Sequence, residues 1–87
     1  MQQLLFHKRF QKQLQKLSAK DKRITEECLH LFIDNPFDLK LKNHPLQGSY
    51  KGCRSINIRP DLRAIYVQLK ANTVEFVALG SHSQLYK

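Results

Sequence analysis

The sequence predicts an α+β domain in which a hairpin of two helices packs on one face of an antiparallel sheet. Apolar residues recur every three or four positions before Pro36 and every second position after Gly52, which marks a change from helix to strand. The chain has 87 residues, of which 41% are hydrophobic, so residues 1–87 are expected to form one packed domain and not two. The predicted order is a strand, two helices, three strands and a short tail.

The helical hairpin follows a short strand predicted over residues 2–6. The apolar stripe of the first helix has members spaced four, four and three positions apart, namely Phe6, Phe10, Leu14 and Leu17. Ser18 interrupts this pattern and is expected to cap the second helix, with Asp21 in the place of the usual Glu of a capping box. That helix should end before Pro36, because proline disfavours helical backbone at the residue that precedes it.

The second half of the chain predicts a long loop followed by the rest of the sheet. Residues 37–52 contain one proline and two glycines and are interpreted as a loop. Alternating apolar residues predict three strands, over 54–58, 62–69 and 73–79. An antiparallel meander of these strands would bury one of its faces against the two helices.

The charge of the chain predicts a polyanionic partner. Lys and Arg number 15 against 7 Asp and Glu, so the formal net charge is +8. A positive field of this size attracts nucleic acid or an acidic protein, and charge alone does not distinguish between them.

Other classes of protein are disfavoured by what the sequence lacks. Cys28 and Cys53 have none of the neighbours of a zinc motif, so neither a metal nor another cofactor is predicted. No apolar run approaches the roughly 20 residues of a membrane-spanning helix, and the first residues do not have the pattern of an export signal. We therefore expect a cytoplasmic protein with reduced cysteines and no membrane partner.

Two segments of the sequence place a histidine among glycine, serine and an aromatic hydroxyl. His44 lies in the first, over residues 43–52, and His82 lies in the second, over residues 80–86. Histidine exchanges a proton near neutral pH, and its setting among Lys and Arg indicates acid–base chemistry on a phosphate-bearing substrate. The plainer interpretation is that His44 stands in an ordinary turn and His82 on a terminal tail.

The predicted elements can bring further polar residues to the same edge of the sheet. Asp61 lies in a turn between two strands, and Tyr86 follows the last strand. Cations from the same loops and strand ends are Lys42, Lys51, Arg54, Arg59 and Arg63. Metal-free RNA cleavage needs such a set, because a base must deprotonate the ribose 2′-hydroxyl, cations must stabilise the transition state and an acid must protonate the leaving 5′-oxygen.

Three blocks of sequence carry a more specific pattern. They are Asn43-His44-Pro45-Leu46-Gln47-Gly48-Ser49-Tyr50-Lys51-Gly52-x-Arg54, Pro60-Asp61-Leu62-Arg63-Ala64-Ile65-Tyr66 and Gly80-Ser81-His82-Ser83-Gln84-Leu85-Tyr86. Together these blocks resemble the RelE superfamily of bacterial toxins, and within it the YafQ-like branch. The resemblance implies a RelE/ParE-like fold and a ribosome-dependent mRNA endonuclease. It also implies that the protein is the toxin of a type II toxin–antitoxin pair, with a cognate antitoxin that covers or distorts the basic site.

The resemblance assigns roles to individual residues. It implies that His44 and His82 are the loop and tail histidines that transfer protons and that Asp61 is the turn carboxylate that orients an imidazole. Tyr86 corresponds to the aromatic residue near the end of the chain, and Arg63 corresponds to a phosphate-binding arginine.

The chain departs from this branch at three positions. Asn57 stands where YafQ-like toxins often have a further histidine, Ser55 stands where an acidic residue precedes it, and Leu62 stands where an aromatic residue often follows the turn carboxylate. Asparagine forms hydrogen bonds but does not shuttle protons, so the departure at Asn57 bears directly on activity.

Two functions remain open on the sequence alone. One is an RNA-cleaving toxin that acts on mRNA in the ribosome, and the histidine pair favours it. The other is a non-catalytic relative, either a DNA-gyrase-type poison or an inert antitoxin-binding module, and Asn57 favours that. Single residues also have plainer interpretations, with Asp61 as a turn former, Tyr86 as a hydrophobic plug and Arg54 as a partner of other residues inside the domain.

Overall fold

The structure is a computed structural model that describes residues 2–86. The strands are β1 (Gln3–Phe6), β2 (His44–Pro45), β3 (Arg54–Arg59), β4 (Leu62–Lys70) and β5 (Thr73–Gly80), and the helices are α1 (Lys8–Gln15), α2 (Ala19–Asp34) and α3 (His82–Leu85). The predicted α+β order is confirmed, with β2 added inside the predicted loop and α3 added in the predicted tail. Short 3₁₀ turns at Leu39–Leu41 and Gly48–Tyr50 flank β2.

The strands form one five-stranded sheet in the order β1-β5-β4-β3-β2. The meander of β3, β4 and β5 is antiparallel as predicted. The sheet differs from the predicted antiparallel arrangement of four strands at its two edges, because β1 pairs in parallel with β5 and the additional strand β2 pairs with β3. The two-residue β2 escaped prediction because Pro45 has no N–H group and normally marks a loop or an edge.

The start of α2 confirms the predicted cap. The hydroxyl of Ser18 accepts a hydrogen bond from the backbone N–H of Asp21 at 3.1 Å. The carboxylate of Asp21 does not close a capping box but binds the Arg59 guanidinium at 2.7 Å. This ion pair attaches the beginning of α2 to the end of β3, two segments that are 38 residues apart.

The main core lies between the helices and one face of the sheet. Phe76 is fully buried at its centre. The ring centroid of Phe76 lies 5.3–6.0 Å from those of Phe6, Phe10, Phe32 and Tyr66. Aromatic packing of this kind adds to the hydrophobic stabilisation that burial supplies.

The opposite face of the sheet carries a smaller apolar cluster. Ile65, Ala78 and Leu85 are buried there, and Tyr50 and Tyr86 pack against them. Because Leu85 belongs to α3 and Tyr50 precedes β3, this cluster brings the end of the chain over the sheet. Within residues 2–86, no helix is both long enough and apolar enough to cross a membrane.

Candidate functional site

The strand β3 separates its side chains between the two faces of the sheet. Ile56 and Ile58 belong to the helix-side core. By alternation, Ser55 and Asn57 lie on the opposite face, which we call the site face. Directly paired residues of antiparallel strands share a face, so the pairing of His44 with Ser55 places that histidine on the site face as well.

The same pairing rule places the arginine and leads to the second histidine. Arg63 of β4 is paired with Asn57 on one side and with Gly80 of β5 on the other. His82 follows Gly80 by two residues and begins α3. The structure therefore places His44 on β2, Arg63 on β4 and His82 at the start of α3, directly after β5, at one end of the site face. Because β3 and β4 lie between β2 and β5, the two histidines come from strands or strand ends separated by roughly 15 Å.

The tautomer of His44 in its neutral form follows from the backbone two residues before it. Lys42 has φ of +49°, a left-handed conformation that is uncommon for a lysine, and its carbonyl oxygen lies 2.8 Å from His44 Nδ1. A carbonyl oxygen only accepts, so Nδ1 carries the hydrogen and donates it. In the neutral imidazole this leaves Nε2 with a free lone pair, which is the form that a general base requires.

The helix α3 positions His82 and Tyr86. Ser81 caps it with a complete capping box, in which the Gln84 side chain returns to the backbone N–H of Ser81. The imidazole of His82 and the ring of Tyr86 have centroids 4.7 Å apart. A Cβ atom at Gly80 would stand 2.8 Å from Gln84 Oε1, so a side chain at position 80 would displace the Gln84 side chain from its place in the capping box.

The ring of Tyr86 is held from its other side by Tyr50. Their centroids are 5.5 Å apart at an interplanar angle of 83°, an edge-to-face contact. The hydroxyl of Tyr50 accepts a hydrogen bond from Arg9 Nη2 at 3.2 Å. Tyr86 is thus both a packing residue and a neighbour of the histidine, and the two interpretations of this residue are compatible.

The environment of Tyr86 keeps its phenol protonated. Burial raises the pKa of Tyr86 above its ordinary value, repulsion from the neighbouring Tyr50 raises it further, and the positive charge of Arg63 lowers it in part. The phenol is consequently a hydrogen-bond donor at neutral pH.

A basic groove adjoins the site face where β2 ends and the edge of β3 is open. Its volume is about 440 Å³, and it is lined by Lys40, Lys42, Asn57, Ile58, Arg59, Pro60 and Arg63. Four of these seven residues are cationic, so the groove concentrates positive potential. Arg59 also serves the ion pair with Asp21, so its charge is partly neutralised.

Arg54 does not join the other predicted cations on the site face. It is paired with Tyr66, which belongs to the helix-side core. Its Nε donates to Asn43 Oδ1 at 2.7 Å, and Asn43 in turn donates to the Tyr66 hydroxyl at 2.7 Å. Its guanidinium lies 5.2 Å from the centre of the Phe37 ring. The structure places Arg54 inside the domain, where it holds the 37–52 loop against the sheet. This agrees with the plainer interpretation of Arg54 as a partner of other residues inside the domain.

Two further predicted residues stand in exposed turns. Asp61 lies in the turn between β3 and β4, and Lys51 follows the turn at Gly48–Tyr50. Among residues 2–86, no hydrogen bond or ion pair joins Asp61 to His44 or to His82. Within the same residues, no group of three His, Cys, Asp or Glu side chains could hold a metal ion.

Sequence reasoning missed two residues of the site. Tyr50 was included in a matching block but was given no role, although it fixes the ring of Tyr86. Lys40 lines the basic groove but is not among the cations that the sequence predicts for the site. The recurrence of lysine at positions 40 and 42 was the available signal, whereas the contact of Tyr50 joins residues 36 positions apart and leaves no local pattern.

Comparison with known proteins adds a family and solved relatives. The model of a family described as "Bacterial toxin of type II toxin-antitoxin system, YafQ" matches residues 2–87. The mRNA interferase toxin YafQ of Escherichia coli K12 is 36% identical over 69 residues, which cover 77% of this chain and 74% of that protein.

Solved structures agree with this match. The crystal structure of YafQ from E. coli BL21(DE3) superposes with a TM-score of 0.82 at 26% identity, with 100% of both chains covered. YafQ in the E. coli DinJ–YafQ toxin–antitoxin complex superposes with a TM-score of 0.79 at 27% identity, and the match covers 99% of this chain and 98% of that one. A metal-bound toxin from Helicobacter pylori superposes with a TM-score of 0.73 at 32% identity, and the match covers 99% of this chain and 100% of that one.

Proposed function

Since this chain belongs to the YafQ family of bacterial toxins of type II toxin–antitoxin systems and is an mRNA interferase, we propose that its site face cleaves mRNA by metal-free acid–base catalysis. The observation that carries the proposal is the hydrogen bond from His44 Nδ1 to the Lys42 carbonyl, which leaves Nε2 free to accept a proton. Arg63 on β4 and His82 at the start of α3 complete the set at the same end of the site face.

The proposed reaction divides its proton transfers between the two histidines. His44 Nε2 takes the proton of the ribose 2′-hydroxyl, and the resulting oxygen attacks the adjacent phosphorus. Arg63, together with Lys51, stabilises the charge of the transition state. His82 in its protonated form gives its proton to the leaving 5′-oxygen, and each transfer contributes about 10²–10⁴-fold.

Asp61 and Tyr86 have supporting roles in this proposal. Asp61, in the turn two residues before Arg63, is the carboxylate of this end of the site and favours the charged form of an imidazole through its negative charge. The protonated phenol of Tyr86 donates a hydrogen bond to the substrate or stacks on a base. Arg59 and Lys42 bind a neighbouring phosphate in the basic groove.

The nature of the products tests the mechanism. Attack by the 2′-hydroxyl leaves a 2′,3′-cyclic phosphate on one product and a free 5′-hydroxyl on the other, and no step uses a metal. We expect both ends in mass spectra of cleaved ribosome-bound mRNA, with the same rate before and after dialysis against EDTA. A 5′-phosphate product, or a rate that EDTA abolishes and Mg²⁺ or Zn²⁺ restores, would contradict the proposal.

We further propose that a cognate antitoxin binds this chain and covers the basic groove, and that the toxin acts in the cytoplasm as a single domain. The E. coli relative was solved as a complex with DinJ. In this chain, Leu39 is 91% exposed next to the groove residue Lys40, so an apolar anchor stands beside a cationic rim. That combination is typical of a protein interface, with an apolar centre and complementary charge around it.

The proposed interface should depend on salt. Binding of the antitoxin encoded beside this chain is expected to weaken by roughly tenfold between about 0.05 and 0.5 M NaCl, because rim charges are screened. Surface plasmon resonance should show most of the change in the association rate. Lys40→Glu should reduce that rate strongly, whereas Lys70→Glu, the same charge change at the far end of β4, should not. Equal effects of the two variants would place the antitoxin elsewhere.

A further inference from the structure

Three buried polar atoms have no hydrogen-bond partner within residues 2–86. They are the hydroxyl oxygen of Ser55, the amide oxygen of Asn57 and the Nε of Arg63. Buried polar groups are nearly always paired, since an unpaired one loses its hydration without compensation. Three such atoms in one region of a small chain therefore point to a partner outside the described residues.

The three atoms belong to one continuous region of the site face. Ser55 and Asn57 are alternate residues of β3, and Arg63 is the cross-strand partner of Asn57. Ser55 is 1% exposed and is paired directly with His44. Asn57 and Arg63 also line the basic groove. The unpaired atoms thus connect the proposed general base to the phosphate-binding groove.

The chemistry of the three groups matches one nucleotide. The Asn57 oxygen accepts a hydrogen bond from a hydroxyl, the Arg63 Nε donates one to a phosphate oxygen, and the Ser55 hydroxyl can do either. A ribonucleotide presents a 2′-hydroxyl donor next to its phosphate acceptor. The 2′-hydroxyl is also the group that distinguishes RNA from DNA at a given position.

We propose that Ser55, Asn57 and Arg63 together bind the ribose and phosphate at the cleaved position, with Asn57 accepting the hydrogen bond of the 2′-hydroxyl. This inference rests on the proposed function and adds a positioning residue to it. Asn57 cannot remove the proton. It accepts the single hydroxyl hydrogen in the bound ground state and so holds the 2′-oxygen in place, and this hydrogen turns to His44 Nε2, on the strand facing Ser55, when the proton is transferred. In this proposal the bound nucleotide supplies the hydrogen-bond partners that the three atoms do not find within residues 2–86.

Substitution on both the protein and the RNA tests this inference. The starting protein is the full chain with both His44→Ala and His82→Ala. These two substitutions prevent cleavage, so the RNA stays intact during binding measurements. Into this starting protein we introduce Asn57→Ala, with Asn72→Ala in the exposed β4–β5 turn as the matched control. Affinity is measured for a single-stranded RNA and for the same oligonucleotide with 2′-deoxyribose at the cleaved position.

We expect Asn57→Ala to weaken binding of the RNA by about fivefold and to leave binding of the 2′-deoxy oligonucleotide unchanged. Asn72→Ala should affect neither. Ser55→Ala should weaken binding of both oligonucleotides. The Tm of this variant should stay the same or rise by about 2–4 °C, because an unpaired buried hydroxyl is removed.

The opposite results would overturn the inference. Equal weakening of both oligonucleotides by Asn57→Ala would show that the amide does not contact the 2′-hydroxyl. A lower Tm for Ser55→Ala and Asn57→Ala with unchanged RNA affinity would show that buried water serves these atoms. A wild-type protein that binds RNA in this Asn57-dependent way but never cuts it would refute the proposed cleavage mechanism and not this inference.

Discussion

Replacing His44 or His82 with alanine is expected to slow cleavage of ribosome-bound mRNA by about 10²-fold or more, the usual effect of removing a general acid or base. The loss should appear in kcat, because the transferred proton matters in the transition state more than in binding. His82 is exposed and His44 is half-buried with one hydrogen bond to the backbone, so each variant should lose about 1 kcal/mol of stability or less. Cleavage in single-turnover assays and thermal unfolding measure the two quantities.

A third histidine supplies the matched control for this experiment. His30 is exposed on α2 and lines a shallow apolar groove with Leu4 and Phe6, away from the site face. His30→Ala should cleave at the wild-type rate. If the double variant lacking both His44 and His82 still cleaved at full rate, neither imidazole would be a proton-transfer group and the mechanism would be refuted.

Phe76→Ala is expected to lower the free energy of unfolding by about 3–5 kcal/mol, the range for removing a fully buried phenylalanine. The side chain is 0% exposed and contacts the rings of four other aromatic residues, so its removal leaves a cavity bounded by β1, α1, α2 and β4. The free energy of unfolding of a natural domain is about 5–15 kcal/mol in total, so the variant should be close to unfolding at 37 °C. Urea denaturation followed by circular dichroism gives the value.

Phe37→Ala makes the same chemical change at a position that is 62% exposed. This substitution removes only surface contacts and the interaction with the Arg54 guanidinium. The free energy of unfolding should therefore fall by about 1 kcal/mol or less. A comparable loss at both positions would mean that the core does not have its centre at Phe76.

The candidate histidines could be selected from the sequence because their signals are local. Both lie in short blocks with recognisable neighbours, and the capping box that starts α3 lies within residues 81–84. The role of Arg54 could not be read in this way. Its partner Asn43 is 11 residues away and Tyr66 is 12, and alternation alone shows only that Arg54 shares a face with Ile56.

The sequence by itself determined the class of the fold, the order of its main elements, the Ser18 cap and the histidine pair. Each of these depends on side-chain period or on contacts within a few residues, so neighbouring positions are enough to reveal it. Only the tertiary structure decided that β1 lies parallel to β5, that β2 pairs with β3, and that Ser55, Asn57 and Arg63 stand together with unpaired atoms. Strand order and register are set by which distant segments bury their apolar faces together, and a one-residue change of register would move every one of these side chains to the other face.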